Sequence, residues 1–189
     1  MAQPRASRTT RTGTAGRTGR PRNEAARTAI LGAAYQLVQE HGYMAVTTAD
    51  IASRAGVGKQ TIYRWWPTKW AVVLESLEEW MRSVTQRKPP TTLSSYLVEI
   101  CRGATLAAPI FRALIAEAQH DAELHAQLKR KLVEPRRAAL RVFLPQLRTA
   151  DRDLIAGAIY GAIMYQLLLG EPLDATFIRS VNRLVARLS

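Results

Sequence analysis

Apolar residues recur at three- and four-residue intervals along most of the chain, and no alternating run persists long enough to make a β-strand. Ala26, Ile30, Ala34, Leu37 and Val38 form one stripe, so a helix capped by Asn23 is expected to run to about His41 and stop at Gly42. Tyr43-Met44-Ala45-Val46 reads as a short apolar link packed beneath the next two helices. Thr47 is placed to cap the first of them, with Asp50 three residues on as its capping-box partner. Ile51, Ala52 and Ala55 give that helix a small apolar face, Gly56 ends it and Val57 plugs the turn. A second short helix, about Lys59–Trp65, turns Ile62 inward. Pro67-Thr68 then breaks the chain, and Thr68 can cap a long helix from Lys69 to about Gln86. Leu74, Leu77 and Met81 share one of its faces, with Trp70, Val73, Trp80 and Val84 beside it, so this helix is expected to touch two bodies. Lys88-Pro89-Pro90 marks a domain boundary.

The second half continues in helices. One spans about Leu93–Leu106. Pro109 opens another to about Gln119, with Phe111, Leu114, Ile115 and Ala118 on one side. Ala122–Leu144 is long and charged, and Pro135 is expected to kink it. Asp151 or Asp153 starts the most apolar helix, and a last one follows over Asp174–Leu188. The pattern is all-α: an N-terminal three-helix domain with a helix-turn-helix, and a larger C-terminal helical domain. Residues 1–22 are a basic tail with almost nothing to bury, residues 23–88 the first domain with its linking helix, and residues 89–189 the second.

From Leu154 to Gly170 the chain carries no charge. A membrane span is the obvious alternative, but 17 residues rise only about 26 Å at 1.5 Å each, short of a hydrocarbon core roughly 30 Å thick. A helix apolar all round is instead expected to be buried all round, by its own domain and by a second copy. Gly157 and Gly161 would let another helix approach, and with Leu168 and with Phe177, Val181 and Leu184 of the last helix they form a candidate four-helix dimer interface.

Charge adds a partner. The formal net charge is +12, and six arginines without one acid lie in residues 1–22. Such a balance favours a polyanion. The tail is expected to be disordered, with Gly19-Arg20-Pro21-Arg22 similar to part of a minor-groove AT-hook. A single cysteine, Cys101, excludes an internal disulfide and a cysteine zinc cluster. No metal or other cofactor is expected, and no secretory signal is evident, which points to the cytoplasm. An enzyme would have to draw on His41, His120 and His125, and His120 and His125 do not share a helical face.

Thr47-Thr48, Asp50-Ile51-Ala52, Ala55-Gly56-Val57, Thr61-Ile62-Tyr63 and Trp66-Pro67-Thr68-Lys69 together resemble the TetR family of transcriptional repressors, most specifically over residues 23–75. Glu134-Pro135-Arg136-Arg137 and Leu168-Leu169-Gly170-Glu171-Pro172-Leu173 are similar to one type of C-terminal domain in that family. The resemblance implies a homodimer on a palindromic double-stranded DNA operator, with an effector in the C-terminal domains. It implies that Thr48, Tyr63 and Lys69 contact phosphate, with Thr47 opening the same helix. Lys59, Gln60 and Thr61 fall at the base-facing start of the recognition helix. By chemistry Lys59 suits guanine and Gln60 adenine, while Arg64 reaches phosphate or guanine. Gly58 stands where the family commonly has a serine-like cap. One of Trp65 and Trp66 is expected in the core, with Trp65 offered to the sugar-phosphate wall.

Helical apolar surface beyond what a simple bundle needs leaves room for a pocket. Trp80, Phe111, Ile115, Tyr160, Met164 and Tyr165 are the candidate lining, suited to a small, flat or greasy effector with a few polar groups. A sequence-neutral protein that coats the chromosome through its net charge is the competing reading.

Overall fold

The computed structural model describes residues 19–85 and 89–188. Helix α1 (Gly19–His41) begins four residues before Asn23. Pro21 lies in its first turn, where a proline's missing N–H is one the helix leaves unpaired anyway. Residues 1–18 and the side chains of that first turn, including the expected tail contact with DNA, lie outside the described residues. Gly42 leaves α1 at a φ of 81°.

The turn chemistry of the helix-turn-helix is fully formed. Thr47 accepts from the Asp50 N–H at 3.2 Å and Asp50 accepts from the Thr47 N–H at 2.8 Å, closing the capping box of α2 (Thr48–Ala55). Gly56, at a φ of 66°, occupies the left-handed region, and the Val57 N–H returns to the Ala52 carbonyl at 3.0 Å. Helix α3 (Lys59–Trp65) follows from Gly58, which supplies no side-chain cap, as its lack of a hydroxyl dictates. Thr68 caps α4 (Lys69–Thr85) through the Ala71 N–H at 3.2 Å.

The C-terminal helices are α5 (Leu93–Leu106), α6 (Ala108–Glu117), α7 (Ala122–Leu128), α8 (Glu134–Val142), α9 (Thr149–Leu169) and α10 (Ala175–Leu188). The kink expected at Pro135 takes a particular form. A π-helical turn over Lys129–Val133 joins α7 to α8 immediately before it. Proline has no N–H to return to the preceding turn, and its ring crowds the carbonyl four residues back; a widened turn relieves both. Asp174 stands just outside α10 and accepts from the Thr176 and Phe177 N–H groups.

Two buried clusters hold the molecule. The first runs from Ile30, Leu37 and Val38 of α1 through Ile51, Ile62 and Trp66 to Leu74 and Leu77 of α4, and on into Ile110 and Leu114 of α6 and Leu124 of α7. The second joins Leu97 and Cys101 of α5 to Leu140, Leu144, Ile159, Ile163, Val181 and Val185. Helix α4 packs on α1, α6 and α7, so the two-body contact expected of its broad apolar surface is present. Polar pairs pin the same seam. Glu75 accepts from the Trp66 indole N–H at 2.5 Å and pairs with Arg27, tying α1, the end of α3 and α4 to one carboxylate. The Trp70 indole donates to Asp121 at 2.8 Å, and the Gln39 amide to the Leu106 carbonyl at 2.7 Å.

Candidate nucleic-acid interface and cavity

One surface gathers most of the expected DNA contacts. Lys59, Gln60, Tyr63 and Arg64 are exposed on α3, with Thr61 half-buried beside them. Thr47 is exposed at the head of α2. Thr48 is buried, and its hydroxyl lies 2.9 Å from the Tyr63 phenol oxygen, which keeps that ring at the edge of the α2–α3 crossing. The Lys59 ammonium sits 5.7 Å over the same ring. Trp66 is core and Trp65, half-buried, meets it edge to face with centroids 5.3 Å apart. The surface thus offers long donors at the start of α3 and hydroxyls around the α2 N-terminus, where helix geometry leaves N–H groups for an anion.

Lys69 turns inward. Its ammonium faces the α1–α2 link, donating to the Tyr43 and Val46 carbonyls at 2.9 and 3.2 Å and lying 3.9 Å above the Tyr43 ring. Burial lowers its pKa, and the nearby Glu117 carboxylate opposes that shift. Burial, with Glu117 and Asp121, raises the pKa of Tyr43. The link itself divides. Tyr43 and Val46 pack inward as expected, but Met44 is 86% exposed and Ala45 is exposed beside it. Four apolar letters cannot all face one side of so short a turn.

A cavity of about 670 Å³ opens between α4, α5, α6, the α7–α8 region and α9. Trp80, Phe111, Tyr160 and Met164 line it. Two of the expected lining residues do not. Ile115 packs against the first core cluster, and Tyr165 is exposed on the opposite face of α9. The polar part of the wall is Tyr96, Glu99, Arg102 and Arg136, together with Glu78 and Lys131, which pair at 3.2 Å across the opening. None of these six was singled out from the sequence as a lining residue. Arg136 carried a usable signal: unlike Arg137, which has Glu134 one turn back, it has no acid three or four positions away on its helix. Tyr96 donates to the Arg136 carbonyl at 3.1 Å, and burial pushes its pKa up to about 12.

The expected interface residues also separate. Gly161, Leu168 and Leu184 are exposed and Phe177 is half-buried. Val181 is buried in the second core of its own chain. Gly157 makes room for Arg137 rather than standing open: a Cβ there would meet the guanidinium at 3.3 Å. Helix α9 instead exposes Leu154, Ala158, Gly161, Tyr165 and Leu168, a stripe at alternating four- and three-residue steps, and Leu184 and Leu188 of α10 are exposed as well. No helix among the described residues is long and apolar enough to cross a membrane, and no group of three potential metal ligands occurs among them.

Two family descriptions match the sequence. "Bacterial regulatory proteins, tetR family" covers residues 30–75, and "Tetracyclin repressor-like, C-terminal domain" covers residues 90–185. The HTH-type transcriptional regulator YdeS of Bacillus subtilis is 34% identical over 179 residues, spanning 86% of this chain and 89% of that protein. The DNA-binding transcriptional repressor TetR of Mycobacteroides abscessus is 28% identical over 83% of this chain and 90% of its own length. Among solved structures, the TetR family transcription regulator SCO0332 superposes with a TM-score of 0.67 at 26% identity, over 85% of this chain and 97% of that one.

Proposed function

The chain belongs to the TetR family of DNA-binding transcriptional regulators, a regulatory and not an enzymatic role, and from that premise we propose that it works in the cytoplasm as a homodimeric repressor released from a palindromic operator by a small, largely apolar ligand. One observation carries the reading. Helix α4 runs unbroken from Lys69, beside the DNA-facing surface, to Trp80 and Met81 in the cavity wall. Those ends are about 18 Å apart at 1.5 Å per residue. Whatever fills the cavity therefore presses on the same rigid rod that Glu75 ties to α1 and to Trp66 at the end of α3.

The exposed stripe of α9, with Leu184 and Leu188 of α10, supports dimerisation. A contiguous apolar surface of that kind is a partner surface in a water-borne protein. A dimer with a two-fold axis there calls for a palindrome, one half-site for each α3. In each copy Thr48, Tyr63 and the α2 N-terminus hold phosphate, while Lys59, Gln60 and Arg64 read base edges. Repression agrees with the relative from Mycobacteroides abscessus, itself a transcriptional repressor. A ligand that prefers one α4 position shifts the spacing of the two readers by as much as its affinities for the two states differ.

Selection from a random DNA pool tests this directly. A palindrome is expected, bound by a dimer. Enrichment of unrelated sequences at fixed salt would favour the coating protein. A ligand that binds the cavity tightly but leaves operator affinity unchanged would remove the effector half of the proposal.

A further inference from the structure

The cavity has one wall whose polar groups are incompletely answered by the protein. Tyr160 is 4% exposed and lines the cavity, yet its phenol oxygen has no hydrogen-bond partner among the described residues. A buried hydroxyl left in that state is unfavourable, because it has lost its water without gaining a partner, and native chains keep few such groups. Arg136, half-buried in the same wall, gives one nitrogen to the Leu132 carbonyl at 2.6 Å and turns another toward the Met81 sulfur, a weak acceptor. No carboxylate among the described residues lies within ion-pair distance of it. The guanidinium cannot shed its charge at any ordinary pH. It is close enough to act electrostatically on both Tyr96 and Tyr160.

The rest of the lining points the same way. Four cationic side chains (Arg82, Arg102, Lys131 and Arg136) and two carboxylates (Glu78 and Glu99) border the cavity, and with Arg82 paired to Glu79 the excess is one positive charge. Glu78 is already paired with Lys131. An ammonium ligand enters against that excess. A neutral one leaves the guanidinium facing a thioether. A carboxylate answers both open groups at once, because Arg matches its two oxygens and a phenol donates to it.

We propose that the cavity takes an apolar organic acid, its carboxylate seated on the Arg136 guanidinium and on the Tyr160 hydroxyl, its hydrocarbon body between Trp80, Phe111 and Met164. The proposal rests on the effector-site reading above. It also gives that site its link to α4: the guanidinium that turns to the carboxylate is the one that now touches Met81 of α4. The volume, about 670 Å³, suits a ligand of two or three fused rings or a medium acyl chain.

The full chain is titrated by calorimetry with decanoate, 2-naphthoate and anthracene-2-carboxylate, with the primary amide of each, and with the matching primary ammonium compounds. At least one acid is expected to bind roughly tenfold or more tightly than its amide, with the ammonium compound weakest. Arg136→Gln is expected to abolish the preference for acid over amide, Arg136→Lys to restore part of it, and Tyr160→Phe to weaken the acid several-fold. Equal binding of acid and amide, tighter binding of the ammonium compound, or no saturation by any acid below about 1 mM overturns the assignment. The acid–amide comparison on the unaltered protein stands even if a variant fails to fold. Operator affinity is read separately. An acid that binds as expected yet does not move operator affinity refutes the effector reading and leaves the site chemistry intact. Release by amides or amines alone does the reverse.

Discussion

The Thr48 hydroxyl and the Tyr63 phenol lie 2.9 Å apart, one in the first turn of α2 and the other in the recognition helix α3. The contact orients a partly exposed ring and leaves its oxygen at the edge of the surface read as DNA-facing. Tyr63→Phe removes the donor without removing the ring. Affinity is expected to fall by about 0.5–1.5 kcal/mol, the net worth of one hydrogen bond, and to fall alike on operator and mismatched DNA. Fluorescence anisotropy at one salt concentration checks both statements. A loss confined to the operator would make Tyr63 a reader rather than a holder.

Lys59 and Gln60 are exposed at the other end of the same helix, free of the core. Replacing either with Ala is expected to relax preference at one base pair of each half-site, by roughly 1–3 kcal/mol. The readout is the sequence profile selected from a random pool, compared position by position with that of the unaltered protein.

Glu75 accepts from both Arg27 and the Trp66 indole. Glu75→Ala removes the acceptor of both donors at once, leaving the Trp66 indole buried and the Arg27 guanidinium half-buried. A loss of about 1–3 kcal/mol in stability is expected, seen as a lower melting temperature and a red-shifted tryptophan emission. An unchanged melting temperature would mean that α1, α3 and α4 are held by apolar packing alone.

Leu168 and Leu184 are exposed in the single chain, whereas Val181, one turn from Leu184, is 7% exposed. Leu168→Glu with Leu184→Glu is expected to give a folded monomer by light scattering. Val181→Glu is expected to unfold the C-terminal half, since it buries an unpaired carboxylate. If the double variant stays dimeric, the α9–α10 face is not the interface.

Cys101 is buried in the second core, and burial raises its thiol pKa from 9.0 to about 11. Below pH 9 both native and unfolded chains keep the thiol proton and the group contributes no slope. Between about 9 and 11 the unfolded chain loses it while the native chain retains it, so stability falls as pH rises through that window. Cys101→Ala should flatten that part of the profile. The native thiol is also expected to ignore a disulfide reagent at pH 8 until the chain is unfolded.

The order and type of the elements were legible because their ends are written locally. Thr47 with Asp50, Gly42, Gly56 and Thr68 each act within a few residues, and each does so in the fold. The exposed polar face of α3 was legible for the same reason: Lys59, Gln60 and Arg64 flank a single inward residue, Ile62. What depended on partners far along the chain was not. Periodicity says that α9 is apolar all round but not which face its own domain takes, and so does not tell that Gly157 lies against Arg137 or that Tyr165 is exposed outside the cavity wall. The Glu75 node joins residues 48 positions apart, and no local pattern marks it. The π turn answers Pro135 with extra backbone rather than with a particular side chain.

A cation that keeps its charge but faces inward releases no counterion when DNA arrives. The salt dependence of duplex binding rises by about 0.9 in log–log slope for each phosphate neutralised. A cation on the open surface that reaches a phosphate counts fully toward it. Lys69 does not while its ammonium remains on the Tyr43 and Val46 carbonyls. Docking that draws it outward steepens the slope by about 0.9 in each subunit and unfastens the link between α1 and α2 at the same stroke. The ionic sensitivity of the complex and the looseness of that link are therefore joined through one nitrogen atom.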